Sequence, residues 1–305
     1  MDLSLTRRML IGSALCLPAM GLPALAIPAN AEEGAKESAE EGDDNIDRRL
    51  AALEKRTGGR LGVSVLDTQT SISFGYRGSE AFPMCSTFKA LAAAFVLARA
   101  DKGEENLDRR VSYGKDKLVD YSPISEKHAG TGGMTLAELC EAAVTVSDNT
   151  AGNLLLESFG GPAGLTDWLR SIGDGTTRLD RTEPTLNEGR KGDPRDTTTP
   201  DAMLDTLGNL TLGSVLAEAS SDRLIAWLVA STTGKERLRA GLPAHWKVGD
   251  KTGTGPNGSL GDIAVIWPPD RGPIVAAVYI SEATVPVKEL NPVFAEVGRM
   301  IVEMV

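Results

Sequence analysis

Residues 246–280 read WKVGDKTGTGPNGSLGDIAVIWPPDRGPIVAAVYI, and this stretch decides the fold. Its apolar residues fall into three runs, Trp246–Thr254, Asp262–Trp267 and Ile274–Ile280, joined by short Gly- and Pro-rich links. Parallel neighbours need crossovers of a dozen or more residues, so these strands are expected to run antiparallel. Far upstream, Leu61, Val63 and Val65 alternate with small residues, and Ile72, Phe74 and Tyr76 do the same, which reads as a strand pair. A helix with Ile46, Leu50 and Leu53 on one face precedes the pair and stops at Gly58-Gly59.

The middle of the chain has helical character. Ser86 to Ala100 is rich in Ala and Leu, and Thr135 to Val146 opens with the capping box Thr135-Leu136-Ala137-Glu138. Asn149 to Phe159 ends at Gly160-Gly161, and Pro162 sits where proline commonly starts a new helix. Further helices are expected near Pro200–Leu207 and Asp222–Ala230, and a last one over about Pro292–Met304, with Val293, Val297, Ile301 and Met304 on one side. Strands at both ends require both ends to build one sheet. The expected class is α+β: an antiparallel sheet from both chain ends, flanked by helices, with an inserted all-helical lobe. The α/β lobe covers about 45–81 and 231–305, the helical lobe about 82–230, and a site is expected in the cleft between them.

The formal net charge of −10 over 305 residues argues against nucleic acid or an anionic membrane as partner. Residues 1–31 read as an export signal. Thr6-Arg7-Arg8-Met9-Leu10 precedes the apolar stretch Ile11 to Ile27, which Pro18 and Pro23 interrupt, and Ala29-Asn30-Ala31 fits a small-residue cleavage site. The adjacent arginines match a twin-arginine signal, with an ordinary secretory signal as the alternative; either route leads to the periplasm. Residues 32–44, rich in Glu, Ala and Gly, are expected to be a flexible mature terminus, with no membrane segment after signal removal. Cys85, Cys140, His128 and His245 lack ligand-like spacing, so no metal and no cofactor are expected. No histidine lies near a motif, which disfavours a Ser-His-Asp triad.

Four segments carry chemistry. Ser86-Thr87-Phe88-Lys89 puts a hydroxyl and an ammonium three residues apart at the start of a helix, where they share a face. Serine needs a neighbouring base to become a nucleophile, and lysine serves only when desolvation or nearby positive charge lowers its pKa. A capping serine beside a surface lysine has the same spacing, as in Ser112-Tyr113-Gly114-Lys115. Ser147-Asp148-Asn149 lies between two helices: Ser147 can relay a proton to a leaving nitrogen, Asn149 can bond a substrate amide, and Asp148 can hold the loop, although an N-cap cluster such as Ser221-Asp222 looks similar. Lys251-Thr252-Gly253-Thr254-Gly255 ends a strand, where glycine admits a substrate backbone and Lys251, Thr252 and Thr254 can bind a carboxylate. An edge lysine that blocks aggregation is the plain alternative. The loop from Arg181 to Asp196 has little helical or strand pattern. Glu183 and Asn187 can hold a water there, and Arg181 and Asp196 can close the loop as a salt bridge.

Together, and in this order, these segments resemble those of the class A serine β-lactamases. The resemblance runs from about Asn45 to the C-terminus and includes Tyr121-Ser122-Pro123, Met134–Asn153 and Asp193–Pro200. It implies a Ser86 acyl-enzyme, with Lys89 or a Glu183-bound water as first proton acceptor. It also implies Ser147 as donor to the lactam nitrogen, and backbone N–H groups of Ser86 and Thr254 as oxyanion hole. Glu183 and Asn187 would activate the deacylating water. Lys251, Thr252, Gly253 and Thr254 would hold the substrate carboxylate, Asn149 its side-chain amide, Tyr121 would stack at the entrance, and Arg237 would supply a second cation. Substrates would be penicillins, extending to cephalosporins through Thr254, and the protein would act as a monomer conferring antibiotic resistance. The nearest alternatives are a DD-peptidase (penicillin-binding protein) and a non-catalytic β-lactam sensor. Cys85 resembles a cysteine that carbapenem-hydrolysing members pair just beyond K-T-G, where this chain has Gly255; the usual partner position of Cys140 reads Ala93. Two free, buried thiols are therefore expected, and carbapenem turnover is not.

Overall fold

The structure is a computed structural model that describes residues 45–305. The expected export segment and mature terminus lie outside the described residues. Helix α1 (residues 45–57) turns Leu50 and Leu53 inward, then gives way to Gly58, whose φ of 65° suits a residue without a Cβ. Strands β1 (Arg60–Asp67) and β2 (Ser73–Tyr76) pair antiparallel, with Val63 opposite Tyr76 and Val65 opposite Phe74. Ile72 falls before the second strand and is 53% exposed, so the expected alternation starts one residue too early.

From β3 (Phe82–Pro83) the chain enters a tight 3-10 turn over Cys85–Thr87 and then α2 (Phe88–Asp101). The insertion continues through β4 (Arg110–Val111), β5 (Met134–Thr135), α3 (Leu136–Thr145), α4 (Asn149–Ser158), α5 (Gly161–Ser171), β6 (Thr197–Thr198), α6 (Pro200–Thr211) and α7 (Glu218–Val229). Two short ladders, β3 with β6 and β4 with β5, staple its long loops. The C-terminal part adds α8 (Leu238–Gly241), β7 (Lys247–Gly255), β8 (Ser259–Trp267), β9 (Ile274–Ser281) and α9 (Val287–Met304). The main sheet has the order β2-β1-β9-β8-β7 and is antiparallel throughout, so the first and last strands of the chain lie side by side, Val63 opposite Val278. This is the α+β arrangement expected from the strand runs.

Both faces of the sheet are covered. In β8, Ile263 and Val265 pack toward the helical insertion with Phe88, Leu91 and Leu139, while Ala264 and Ile266 pack with Phe294, Val297 and Ile301 of α9. That two-sided burial explains the unbroken apolar run Ile263–Trp267, where a half-solvated strand would alternate. Each buried Val, Leu, Ile or Phe among them contributes roughly 1.5–3 kcal/mol. Helix α2 is buried on almost every side, and its alanines let neighbouring helices approach closely. Its N-terminus is thereby fixed against the sheet.

Two helix starts differ from expectation. α9 begins at Val287, five residues before Pro292, because burial of Leu290 outweighs the one hydrogen bond that Pro292 cannot donate. Ser221 is not an N-cap but lies inside α7, where its hydroxyl donates to Leu210 O. The α7 N-terminus is instead met from α2: Asp101 accepts from Ala217 N at 2.8 Å and from Ser220 Oγ at 2.6 Å. The capping box at Thr135 forms as expected, with Glu138 N donating to Thr135 Oγ1 and Thr135 N to Glu138 Oε2. Among the described residues, no helix is long and apolar enough to cross a membrane.

Candidate active site

Ser86 sits in the tight turn that leads into α2. Cys85 just before it has a φ of 47°, a left-handed conformation that costs a non-glycine residue about 1–3 kcal/mol and persists because its surroundings fix it. The β7 backbone passes directly over this turn. A Cβ at Gly253 would lie 2.7 Å from Met84 O and 3.0 Å from Ser86 N, so only glycine permits the approach.

One turn along, Lys89 is wholly buried, with its stem running past Gly152, where a Cβ would stand 3.0 Å from Lys89 Cε. Its Nζ lies 2.8 Å from Ser86 Oγ, 2.8 Å from Glu183 Oε1, 2.9 Å from Ser147 O and 2.5 Å from Asn149 Oδ1. Ser86 Oγ in turn donates to Glu183 Oε1 at 3.1 Å. An ammonium has three protons, so these acceptors compete for it. Burial pushes the Lys89 pKa down, against the opposing pull of Glu183.

Ser147 has a φ of 61° and projects its hydroxyl between two ammonium groups, 3.4 Å from Lys89 Nζ and 3.0 Å from Lys251 Nζ. Asp148 caps α4 by accepting from Ala151 N, and it also accepts from Ile124 N, Ser125 N and Ser125 Oγ. These bonds tie the Tyr121 segment to the start of α4, and Asn149 adds one from Nδ2 to Asp120 O. Tyr121, with a φ of 62°, is left 61% exposed at the cleft entrance.

The Glu183 loop is held at three places. At its base, Arg181 Nε lies 2.6 Å from Asp196 Oδ2, and Asp196 Oδ1 accepts from Asp180 N and Arg181 N. In its middle, Asn153 on α4 clamps Glu183 by two backbone bonds, Glu183 N to Asn153 Oδ1 at 2.8 Å and Asn153 Nδ2 to Glu183 O at 3.0 Å. Asn187 Nδ2 donates to Glu183 Oε2, and its Oδ1 is buried without a partner. Toward its outer end, Asn257 Nδ2 donates to Glu188 O at 2.8 Å.

On the opposite wall, Arg237 enters from the segment before α8. It donates to Gly253 O at 2.7 Å, Gly261 O at 2.6 Å and Thr254 Oγ1 at 2.5 Å. Asp262 fixes that segment by accepting from Leu238 N, and Asp250 does so by pairing with Arg239. Ser86, Ser147, Asn187 and Tyr121 face Thr252, Thr254, Thr233 and Arg237 across a cleft of about 320 Å³, with Asn149 also lining it.

Most of the candidate residues therefore converge. Ser86, Lys89, Ser147, Glu183 and Asn187 form one bonded network, and Tyr121, Asn149, Thr252, Thr254 and Arg237 line the cleft that it faces. Arg181 and Asp196 lie at the loop base, away from the cleft. Lys251 differs from expectation: it is wholly buried, bonded to Ser147 Oγ and Thr252 O, and stands behind the cleft wall, with the threonine hydroxyls in front. Burial, and then the nearby Lys89 charge, put its pKa well below the ordinary lysine value. Cys85 and Cys140 are free and buried, and the Cys85 thiol is pushed up to about 12, chiefly by burial. A Cβ at Gly255 would lie 2.9 Å from Cys85 Sγ. Asn153 and Thr233 were not singled out from the sequence. Asn153 was findable, because it lies one helical turn beyond Asn149. Nothing local marks Thr233.

The chain is similar in sequence and in fold to known proteins. Residues 45–305 match the family described as the beta-lactamase enzyme family. Beta-lactamase CTX-M-8 of Citrobacter amalonaticus is 48% identical over 259 residues, covering 85% of this chain and 89% of that protein. Beta-lactamase Toho-1 of Escherichia coli is 49% identical over 257 residues, covering 84% and 88%. The solved structure of an ancestral class A beta-lactamase superposes with a TM-score of 0.84 at 65% identity, covering 85% of this chain and all of that one.

Proposed function

The chain belongs to the class A serine β-lactamases, and from that premise we propose that it hydrolyses the cyclic amide of penicillins and cephalosporins and thereby confers antibiotic resistance. The observation that carries this is the buried contact of one hydroxyl with an ammonium and a carboxylate, Ser86 Oγ at 2.8 Å from Lys89 Nζ and 3.1 Å from Glu183 Oε1.

Ser86 Oγ attacks the lactam carbonyl carbon and gives up its proton within this cluster, to Lys89 in its neutral form or to Glu183. The carbonyl oxygen takes the negative charge, facing the backbone N–H groups of Ser86 and Thr254. The ring C–N bond then breaks, Ser147 protonates the leaving nitrogen, and the proton that Ser86 gave up passes through Lys89 back to Ser147, which leaves Glu183 a carboxylate. Its hydroxyl is suited to this because Lys251 and Lys89 both donate toward it and make it more acidic. The product is an ester on Ser86. Glu183, oriented by Asn187, takes a proton from water, which attacks the ester carbonyl; the bond from that carbon to Ser86 Oγ then breaks, and Oγ regains a proton from Glu183. The substrate carboxylate lies against Thr252, Thr254 and Arg237, with Lys251 adding positive field from behind. Asn149 and Tyr121 meet the substrate side chain.

A DD-peptidase or a β-lactam sensor would keep its acyl group. A carboxylate 3.1 Å from the nucleophile speaks for hydrolysis instead. Two measurements test this. Catalytic turnover of penicillin and a chromogenic cephalosporin is expected; stoichiometric labelling without turnover would overturn the hydrolase assignment. Glu183→Gln should still acylate but deacylate about 10²–10⁴-fold more slowly, leaving protein plus intact antibiotic in the mass spectrum. Normal deacylation by that variant would remove Glu183 from the mechanism. We also propose periplasmic export through the paired Arg7 and Arg8, and replacement of both by Lys should leave unprocessed precursor in the cytoplasm.

A further inference from the structure

Thr233 lies on the segment between α7 and α8, in the cleft wall beside Arg237. Its hydroxyl oxygen is 2.6 Å from that of Thr252, and Ser231 Oγ stands 3.4 Å behind it. The segment holding it is pinned on both sides. Thr232 N donates to Thr145 O at the end of α3, and at Gly234 a Cβ would fall 1.5 Å from Asp250 Oδ2, so the backbone sits hard against β7.

A threonine hydroxyl has one proton and two acceptor sites. With Thr252 6% exposed and facing the cleft, two orientations of the pair are open. If Thr252 donates to Thr233, it turns lone pairs toward the cleft and repels an anion. If Thr233 donates to Thr252, the Thr252 proton points into the cleft, and the donation makes it a stronger donor. A bound carboxylate selects the second state.

We propose that Thr233 is a positioning residue that sets the Thr252 hydroxyl as a donor and so makes this wall selective for substrates with a carboxylate next to the reacting ring. This rests on the hydrolase function proposed above and extends it to a residue outside the reacting groups. Ser231 extends the same line of hydroxyls inward, and Arg237 flanks it on the Thr254 side.

The test compares Thr233→Val, Thr233→Ser and the unmodified chain on one chromogenic cephalosporin and on its carboxylate methyl ester. Thr233→Val keeps the side-chain shape, so thermal melting checks that the fold is intact. The expected result for Thr233→Val is a KM about tenfold higher for the carboxylate substrate, the scale of one charge-assisted hydrogen bond, with kcat changed far less. The ester should lose the KM difference between variants, and Thr233→Ser should restore the carboxylate KM to within about twofold, since it keeps the hydroxyl. A KM in Thr233→Val that stays within about twofold, or rises equally for the ester, or is not restored by Thr233→Ser, overturns the relay and leaves the hydrolase function standing. Absence of turnover of both compounds by the unmodified chain overturns the hydrolase function, and the relay with it.

Discussion

The two walls of the cleft are built on opposite principles. On the helical wall, Ser86, Lys89, Ser147 and Glu183 satisfy one another inside the protein, and the residues that aim them, Cys85 and Ser147, sit at positive φ. On the strand wall, Thr252, Thr254, Thr233 and Arg237 are supported from behind by carbonyls and hydroxyls, and the hydrogen bonds of Arg237 all go to neutral oxygens. The first wall holds its charges in balance before substrate arrives. The second keeps a buried cation that feels Asp262 through space but is hydrogen-bonded to neutral oxygens, so a substrate carboxylate can join its partners. Under the proposed function, chemistry belongs to the helical wall and anion recognition to the strand wall.

Ser86→Ala gives the largest expected effect. Loss of the nucleophile should lower kcat by about 10⁶-fold and abolish covalent labelling, while the strand wall still binds a carboxylate-bearing substrate. Labelling that survives would show that the helical wall had been assigned the wrong group. Next is Asn153→Ala, which removes both backbone bonds that clamp Glu183. Misplacement of the carboxylate by about 1 Å should slow deacylation by roughly 10²-fold and acylation less, as pre-steady-state bursts would report. Equal slowing of both steps would mean that the clamp holds more than Glu183.

On the strand wall, Arg237→Ala should raise KM for carboxylate substrates by about tenfold with a smaller change in kcat. A reversed split would place Arg237 with the reacting groups and break the distinction between the walls. The smallest effect is a stability profile. The folded-state pKa of Lys251 is depressed, so between that pKa and about 10.4, its unfolded value, the unfolded chain binds more protons at this site. Stability rises with pH wherever the unfolded state holds more protons, so this lysine penalises the fold below its folded pKa, and the penalty fades as pH rises through the window. Lys251→Met should remove that slope, at most about 1.4 kcal/mol per pH unit, in denaturant titrations across the alkaline range. An unchanged slope would assign it to other groups.

Much of the site was legible because its parts are local. Ser86 and Lys89 share a helix face by spacing alone, Thr135 with Glu138 announces a helix start, and Arg181 and Asp196 bracket a loop without periodicity. What escaped was set by partners far along the chain. Asp101 takes over the cap expected of Ser221 because α2 lies against α7. Leu290 draws α9 past Pro292 because a core position awaits it. Thr233 meets Thr252 across 19 residues of chain.

By itself, the amino-acid order determined the antiparallel sheet and the helical insertion, and its motifs pointed to the candidate reacting groups through the resemblance they carry. Side-chain periodicity, helix caps and short links act over a few residues and need no knowledge of the rest. Tertiary structure alone decided that Glu183 reaches a hydroxyl 97 residues away, and that Lys251 turns inward to Ser147 across 104 residues. Such contacts depend on how buried surfaces pack and on how desolvated charges find partners, and neither is written in any local stretch of the chain.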